Sequence, residues 1–172
     1  MAVDTILLSE SLSNSAEGSA LRRSAGDARV VAVADSLIER VGDVRHTQGV
    51  MAVVEFADES RPNSDGAGTF LLLDSISDPG NMGTLLRTAV GTGIDGVMLY
   101  GDCVDIYNPK CVRAGAGTLP FIPVWQIDDD IVDAFLNAGY DLFAAVMEGE
   151  ESVFGLKFGE KSIIAVGNEA HG

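Results

Sequence analysis

The sequence predicts an α/β protein with a mostly parallel sheet and helices on both faces. Two observations indicate this fold class: short apolar runs recur along the second half of the chain, and segments with helical spacing or turn residues lie between them. Strands that alternate with helices form parallel sheets whose connecting helices cover both faces. A chain of 172 residues buries about 70% of its unfolded surface, so a core forms without disulfide bonds.

The elements of the second half follow from these patterns in chain order. The predicted strands are Phe70–Leu73, Val97–Tyr100, Phe121–Trp125, Tyr140–Val146 and Ser162–Val166. The predicted helices are Asn81–Gly91, Pro109–Ala116 and Asp129–Ala138. The acidic run 128–130 directly precedes the third helix, so we expect it to cap that helix rather than to bind a metal.

The first half predicts a smaller α/β module over residues 1–57. Its apolar runs are Thr5–Leu8, Arg29–Val33 and Gly49–Val54, with a helical stretch at Ser36–Val41. Residues 58–69 are polar, contain Pro and Gly and show no periodicity, which is typical of a linker. We therefore expect a module at 1–57, a linker at 58–69 and a second domain at 70–172.

Charge and cysteine content narrow the classes of function. A net charge of −15 argues against a broad electrostatic grip on nucleic acid, although a local basic patch stays compatible with it. The spacing of Cys103 and Cys111 fits neither a zinc site nor a redox pair, and His46 and His171 are too scattered for a metal site. Residues 1–14 lack the positive region of a secretory signal. We expect a cytoplasmic protein with reduced thiols, without a metal or a membrane span.

Two glycine signatures indicate where the chemistry lies. The stretch Asp78–Ala89 follows an apolar run, and the stretch Val166–Gly172 follows another. Open α/β sheets bind ligands beyond the carboxyl ends of their strands. We therefore expect the two glycine-rich loops to fold together into a single pocket.

A third glycine pattern, Gly91–Gly96, matches the G-x-G-x-x-G of dinucleotide-binding proteins. That fingerprint needs a strand before it and a helix after it. Here a predicted helix precedes the glycines and a predicted strand follows them. The pattern therefore indicates the end of a helix and its loop, and a nucleotide-binding flavodoxin-like protein would need a phosphate loop that the sequence does not offer.

The motif Asn81-x-Gly83-x-x-x-Arg87-x-Ala89 resembles the first motif of the SpoU (TrmH-like) RNA ribose 2′-O-methyltransferases of the SPOUT α/β-knot superfamily. The segment Asn108–Gly117, with its Arg-Ala-x-x-Gly, is similar to the next helix of that family. Val-Gly-Asn-Glu-x-x-Gly at 166–172 is similar to its second motif. Residues 1–57 resemble the later part of the family's L30e-like RNA-binding module.

The resemblance implies an S-adenosylmethionine-dependent methylation of a ribose 2′-hydroxyl in rRNA or tRNA, carried out by a homodimer. Val146, Met147, Gly167 and Asn168 align with the loops that bind the cofactor. The family's third motif would follow Gly172, so we expect this chain to be a piece of a longer enzyme or a decayed copy. The knot would then be incomplete, and the chain alone would bind cofactor weakly and be inactive. A non-catalytic RNA- or protein-binding relative remains the alternative.

The resemblance also implies catalytic roles for Asn81, Arg87 and Glu169. A guanidinium is effectively never neutral, so we expect Arg87 to bind an RNA phosphate and polarise the hydroxyl rather than to act as a base. We also expect its guanidinium to face the sulfonium methyl donor in the pocket that the two loops form. Asn81 would orient Arg87 or the ribose, or cap its helix. Glu169 would anchor Arg87 or Asn81. Each also has an ordinary structural interpretation, as a surface arginine, a helix cap and a solvated carboxylate. His171 receives no role.

Overall fold

The computed structural model describes residues 2–42, 47–56, 61–147, 149 and 152–168, and the chain divides into two compact units at 1–58 and 59–172. The first unit contains a three-stranded sheet in the order β2-β1-β3. Its strands are β1 (Val3–Ser9), β2 (Arg29–Val33) and β3 (Val50–Val54). β1 runs parallel to β2 and antiparallel to β3.

In the described part of this unit, three helices accompany the sheet: α1 (Glu10–Ser13), α2 (Ala16–Ser24) and α3 (Asp35–Val41). The sequence predicted α3 but missed α1 and α2, which are rich in Ser, Ala and Gly and show little apolar periodicity. Their starts carry a local signal, because the Ser9 hydroxyl accepts from the Leu12 N–H and the Ser15 hydroxyl accepts from the Gly18 N–H. Serine is among the preferred N-cap residues.

The second unit is a five-stranded, fully parallel sheet in the order β6-β5-β4-β8-β7. The strands are β4 (Gly68–Asp74), β5 (Gly96–Tyr100), β6 (Val124–Gln126), β7 (Asp141–Ala144) and β8 (Lys161–Val166). The helices are α4 (Pro79–Thr92), α5 (Pro109–Ala114) and α6 (Asp129–Asn137), with short 3-10 turns at Leu119–Phe121 and Val153–Gly155.

The predicted strand over 121–125 is wrong at its start. Phe121 ends a 3-10 turn and is 77% exposed, and pairing begins at Val124. Pro120 and Pro123 explain the difference, because proline has no N–H to donate to a strand ladder. The predicted strand over 140–146 is likewise shorter, since pairing stops at Ala144.

Alternate residues of the central strand enter two different cores. Leu71 and Leu73 of β4 pack with buried residues of α4 and α5, whereas Phe70 and Leu72 pack with Phe135 of α6 on the opposite face. Successive side chains of a strand point to opposite faces, so a strand covered on both sides is apolar throughout. The predicted fold class, a mostly parallel sheet with helices on both faces, is confirmed.

Two local predictions are also confirmed. Asp128 caps α6 by accepting from the Ile131 N–H at 3.2 Å. Gly93 ends α4 with φ of 75°, and β5 follows, so the G-x-G-x-x-G pattern is a helix end and its loop. No helix in the described part of the chain has the length and apolar character needed to cross a membrane.

Gly83 sets the distance between α4 and α5. A Cβ added at this position would lie 2.6 Å from the Cβ of Ala114, 2.8 Å from the Gly115 nitrogen and still closer to the Cys111 carbonyl oxygen. The first motif therefore needs a glycine here because the Arg-Ala-x-x-Gly helix packs directly on it. This contact fixes the start of α4, where the site residues lie.

Candidate functional site

The strand order places a crevice between β4 and β8. From β4 the chain adds β5 and then β6 on one side, whereas β7 and β8 lie on the other side. Such a reversal is a topological switch point, where open α/β sheets bind their ligands beyond the carboxyl ends of the strands. Both glycine signatures follow the two strands that border this point.

Asn168 joins the two loops. Its Nδ2 donates a hydrogen bond of 2.8 Å to the Ser75 carbonyl oxygen, and it lies 3.3 Å from the Ser77 hydroxyl. A small cleft between the loops is lined by Ile76, Ser77, Asp78, Asn81 and Asn168. The amide of the second signature thus lies against the loop that leads into the first.

The start of α4 is capped by Asp78 rather than by Asn81. The Asp78 carboxylate accepts from the Asn81 N–H at 2.8 Å, which places Asn81 inside the first turn. The predicted capping role of Asn81 is therefore wrong, while its side chain lines the cleft. Lys110 of α5 lies 2.9 Å from Asp78. The hydrogen bond from Lys110, supported by that from the Asn81 N–H, lowers the pKa of the Asp78 carboxyl.

A larger cavity of about 310 Å³ opens at the same edge of the sheet. Its lining is mostly apolar and comes from Leu72, Asp74, Tyr100, Val132, Leu142, Ala144, Ala145, Val146, Ala165, Val166 and Gly167. Of the residues expected to hold a cofactor, Val146 and Gly167 line this cavity and Asn168 lines the neighbouring cleft. Met147 follows Val146 with a fully exposed side chain.

Asp74 and Tyr100 supply polar groups to this cavity that sequence reasoning missed. The Tyr100 hydroxyl donates to the Asp129 carboxylate at 2.6 Å, and this bond raises the pKa of Tyr100. Asp74 is the last residue of β4 and Tyr100 is the last residue of β5. A polar residue at the carboxyl end of an apolar strand was the sequence signal that could have identified both. Among the described residues, no three His, Cys, Asp or Glu side chains are placed to hold a metal ion.

Arg87 lies apart from these cavities. It follows Asn81 by six residues on α4, or about 9 Å along the helix axis, and its side chain is exposed. Arg87 is absent from the linings of the two cavities as far as the described residues define them. Glu169 and His171 lie outside the described residues. The structure therefore brings Asn81, Asn168 and the Gly167 loop together and leaves Arg87 exposed on α4, outside the linings of both cavities.

The fold and the crevice are typical of one class of protein, the parallel α/β domains that bind small ligands at the switch point of the sheet. Residues 68–172 match the SpoU rRNA Methylase family, and the chain belongs to this family. The family predicted from the three motifs is thereby confirmed.

Similar proteins include an uncharacterized tRNA/rRNA methyltransferase of Synechocystis, 30% identical over 142 residues that make up 81% of this chain and 52% of the relative. The 23S rRNA (uridine(2479)-2′-O)-methyltransferase of Streptomyces viridochromogenes is 29% identical over 83% of this chain and 53% of its own length. The chain thus spans about half the length of these relatives.

Among solved structures, the SpoU methyltransferase AviRb of Streptomyces viridochromogenes, in complex with AdoMet, is similar with a TM-score of 0.81 and 27% identity. The match covers 99% of this chain and 68% of AviRb. An AdoMet-bound rRNA methyltransferase of Sinorhizobium meliloti, at 23% identity and a TM-score of 0.78, shares the fold.

Proposed function

We propose that this protein transfers a methyl group from S-adenosylmethionine to a ribose 2′-hydroxyl of ribosomal or transfer RNA. The observation that carries the proposal is the hydrogen bond of Asn168 to the Ser75 loop, which builds one crevice from the two family motifs. The names of the similar proteins support both the RNA substrate and the cofactor.

The residues around the larger cavity fit the cofactor. A volume of about 310 Å³ lies at the lower end of the usual range for small-ligand sites. Its apolar walls suit an adenine ring, and the loops at Val146 and Gly167 offer backbone groups at the strand ends for the edge of the base. The Asp74 carboxylate offers a negative charge to the cationic donor. When bound, the cofactor supplies an electrophilic methyl group on its sulfonium.

Arg87 is proposed to act on the RNA rather than on the cofactor. Its exposed position on α4, beside the crevice and outside the cavity, favours contact with a macromolecule. A guanidinium binds phosphate through two parallel N–H bonds, and its charge lowers the pKa of a nearby hydroxyl. Asn81 would orient the ribose from the cleft, and Glu169 would anchor this arrangement. Met147 would contribute through its backbone.

The assembly and compartment belong to the same proposal. We expect a homodimer, as the family resemblance implies, and a cytoplasmic protein. Cys103 and Cys111 are both free thiols, which supports a reducing compartment. Light scattering measures the mass of the particle in solution, and a monomeric mass would contradict the dimer.

The test combines calorimetry with S-adenosylmethionine and transfer of a tritiated methyl group to unmodified ribosomal and transfer RNA, using the protein expressed from its own gene. We expect saturable cofactor binding and 2′-O-methylated RNA. Arg87→Ala should lower the rate about 100-fold and leave cofactor affinity unchanged, whereas Arg61→Ala, an exposed arginine before β4, should change neither. A protein that binds no cofactor would contradict the enzyme and favour a non-catalytic relative.

A further inference from the structure

We infer that Lys110 is a positioning residue that binds an RNA backbone phosphate beside the crevice. This inference rests on the proposed function, because it concerns how that RNA is held. Lys110 lies in the first turn of α5, and its Nζ is 2.9 Å from Asp78, the residue that caps α4 and lines the cleft.

The Lys110 side chain also extends toward the start of α4. A Cβ added at Gly80 would lie 3.5 Å from the Cε of Lys110 and 3.8 Å from its Nζ. The ammonium group therefore stands over the start of α4, next to the turn that contains Asn81. The close packing at Gly83 holds the two helices in this arrangement.

The net charge of −15 makes each exposed cation important for binding the phosphates of RNA. Eleven basic residues face 26 acidic ones, so an RNA backbone meets few places where its phosphates are neutralised. Lys110 is 58% exposed and its partner Asp78 is 47% exposed. Ion pairs between exposed side chains contribute little to stability, so the ammonium group can exchange the carboxylate for a phosphate at little cost.

Lys110 and Arg87 would then hold the backbone at two points along α4. From its place on α5, the Lys110 ammonium group reaches the first turn of α4 near Gly80, and Arg87 lies about two turns further along α4. Two separated phosphate contacts fix both the position and the direction of a strand, whereas one contact fixes only a point. The ribose that receives the methyl group would lie between them, next to Asn81.

Two neighbouring variants separate this role from a structural one. Lys110→Ala removes both the cation and the ion pair with Asp78. Asp78→Asn removes the same ion pair but keeps a good N-cap residue and releases the ammonium group. If Lys110 serves RNA, the two variants change RNA affinity in opposite directions or only the first weakens it. If the ion pair is merely structural, both variants weaken RNA binding alike.

The experiment measures filter binding of a radiolabelled, unmodified transcript of large-subunit ribosomal RNA over a series of KCl concentrations. We expect Lys110→Ala to weaken binding about fivefold to tenfold and to reduce the slope of log affinity against log salt by about 0.7–0.9. Lys110→Arg should restore both, and Asp78→Asn should bind as tightly as the wild type or more tightly. Lys157→Ala removes an exposed charge before β8 and should weaken binding less than twofold.

Calorimetry with S-adenosylmethionine accompanies the Lys110 and Lys157 variants and should give the wild-type affinity for each of them. An unchanged salt slope in Lys110→Ala, or equal weakening by Lys110→Ala and Asp78→Asn, would overturn the role of Lys110 while the wild-type protein still binds RNA and cofactor. A wild-type protein that binds neither would overturn the proposed function and this inference together.

Discussion

Two glycines of the same helix are expected to respond oppositely to one added methyl group. At Gly83 the new Cβ would lie 2.6 Å from the Ala114 Cβ and still closer to the Cys111 carbonyl oxygen, so ordinary contacts of 3.4 Å require α5 to move by more than about 0.8 Å. Overpacking of this kind costs about 1–3 kcal/mol, and the better helix propensity of alanine returns about 0.8–1 kcal/mol. Because the contacts include backbone atoms, which cannot rotate away, the cost lies at the upper end of this range, about 2–3 kcal/mol, and we expect Gly83→Ala to lower the free energy of unfolding by about 1–2 kcal/mol.

Gly91→Ala is the matched control. It lies in α4 as well, and nothing stands within 4 Å of an added Cβ, so the variant should gain the same amount, about 0.8–1 kcal/mol, from helix propensity alone. Urea unfolding followed by the fluorescence of Trp125, the single tryptophan, reports on the second unit, where this ring packs against the core of the α6 face.

With a denaturant dependence of about 1–3 kcal/mol per molar urea, the two midpoints should differ by about 1 M. Gly83→Ala should also weaken cofactor binding, because the start of α4 moves with the helix. A Gly83→Ala protein as stable as the wild type would refute the close approach of the two helices. Equal gains in stability for Gly83→Ala and Gly91→Ala would show that helix propensity alone sets the stability change.

Three further predictions concern single side chains. Asn168→Asp places a carboxylate against the Ser75 carbonyl oxygen and should weaken S-adenosylmethionine binding about tenfold; calorimetry showing wild-type affinity would contradict it. Burial raises the pKa of Cys111 to about 11. In Cys103→Ser the remaining thiol should therefore react slowly with a disulfide reagent, and its rate should rise about tenfold per pH unit between pH 8 and 10. Fast labelling at pH 7 would exclude a buried thiol. The pKa of Asp78 is lowered, so its contribution to stability is present above the unfolded value of about 3.9 and is lost as pH falls through the lower folded value. Asp78→Asn should therefore unfold with a weaker dependence on acid pH, and an unchanged dependence in acid titrations followed by circular dichroism would count against the ion pair.

Local patterns determined the elements and the fold class. The run at 70–73 is apolar on both faces because a central strand meets helices on both sides. The uninterrupted apolar run was therefore enough to predict this strand from the sequence. Asp128 was recognisable as a cap because the N–H group that its side chain satisfies belongs to Ile131, only three residues further along the chain. The helices α1 and α2 were missed because their serine-rich sequences carry caps but hardly any apolar stripe.

Parts of the site depended on contacts that local patterns cannot show. The position of Asp74 and Tyr100 on a cavity wall and the exposure of Arg87 follow from how α4 and the strands pack. The cap at Asp78 is local, and the Asp-Pro pair at 78–79 was a sequence signal for it that the choice of Asn81 overlooked. The sequence identified Gly83 as a motif residue. The reason that this position requires a glycine is the nearby Cys111 carbonyl oxygen, which belongs to α5.

By itself the sequence determined that strands and helices alternate, that two glycine-rich loops follow strand ends and that a family resemblance links them. Only the tertiary structure decided that β8 lies beside β4, so that Asn168 reaches Ser75 across 93 residues of chain. The physical reason is that strand order is set by crossover connections and by the burial of both faces at once. These are properties of the whole unit, and no single segment encodes them.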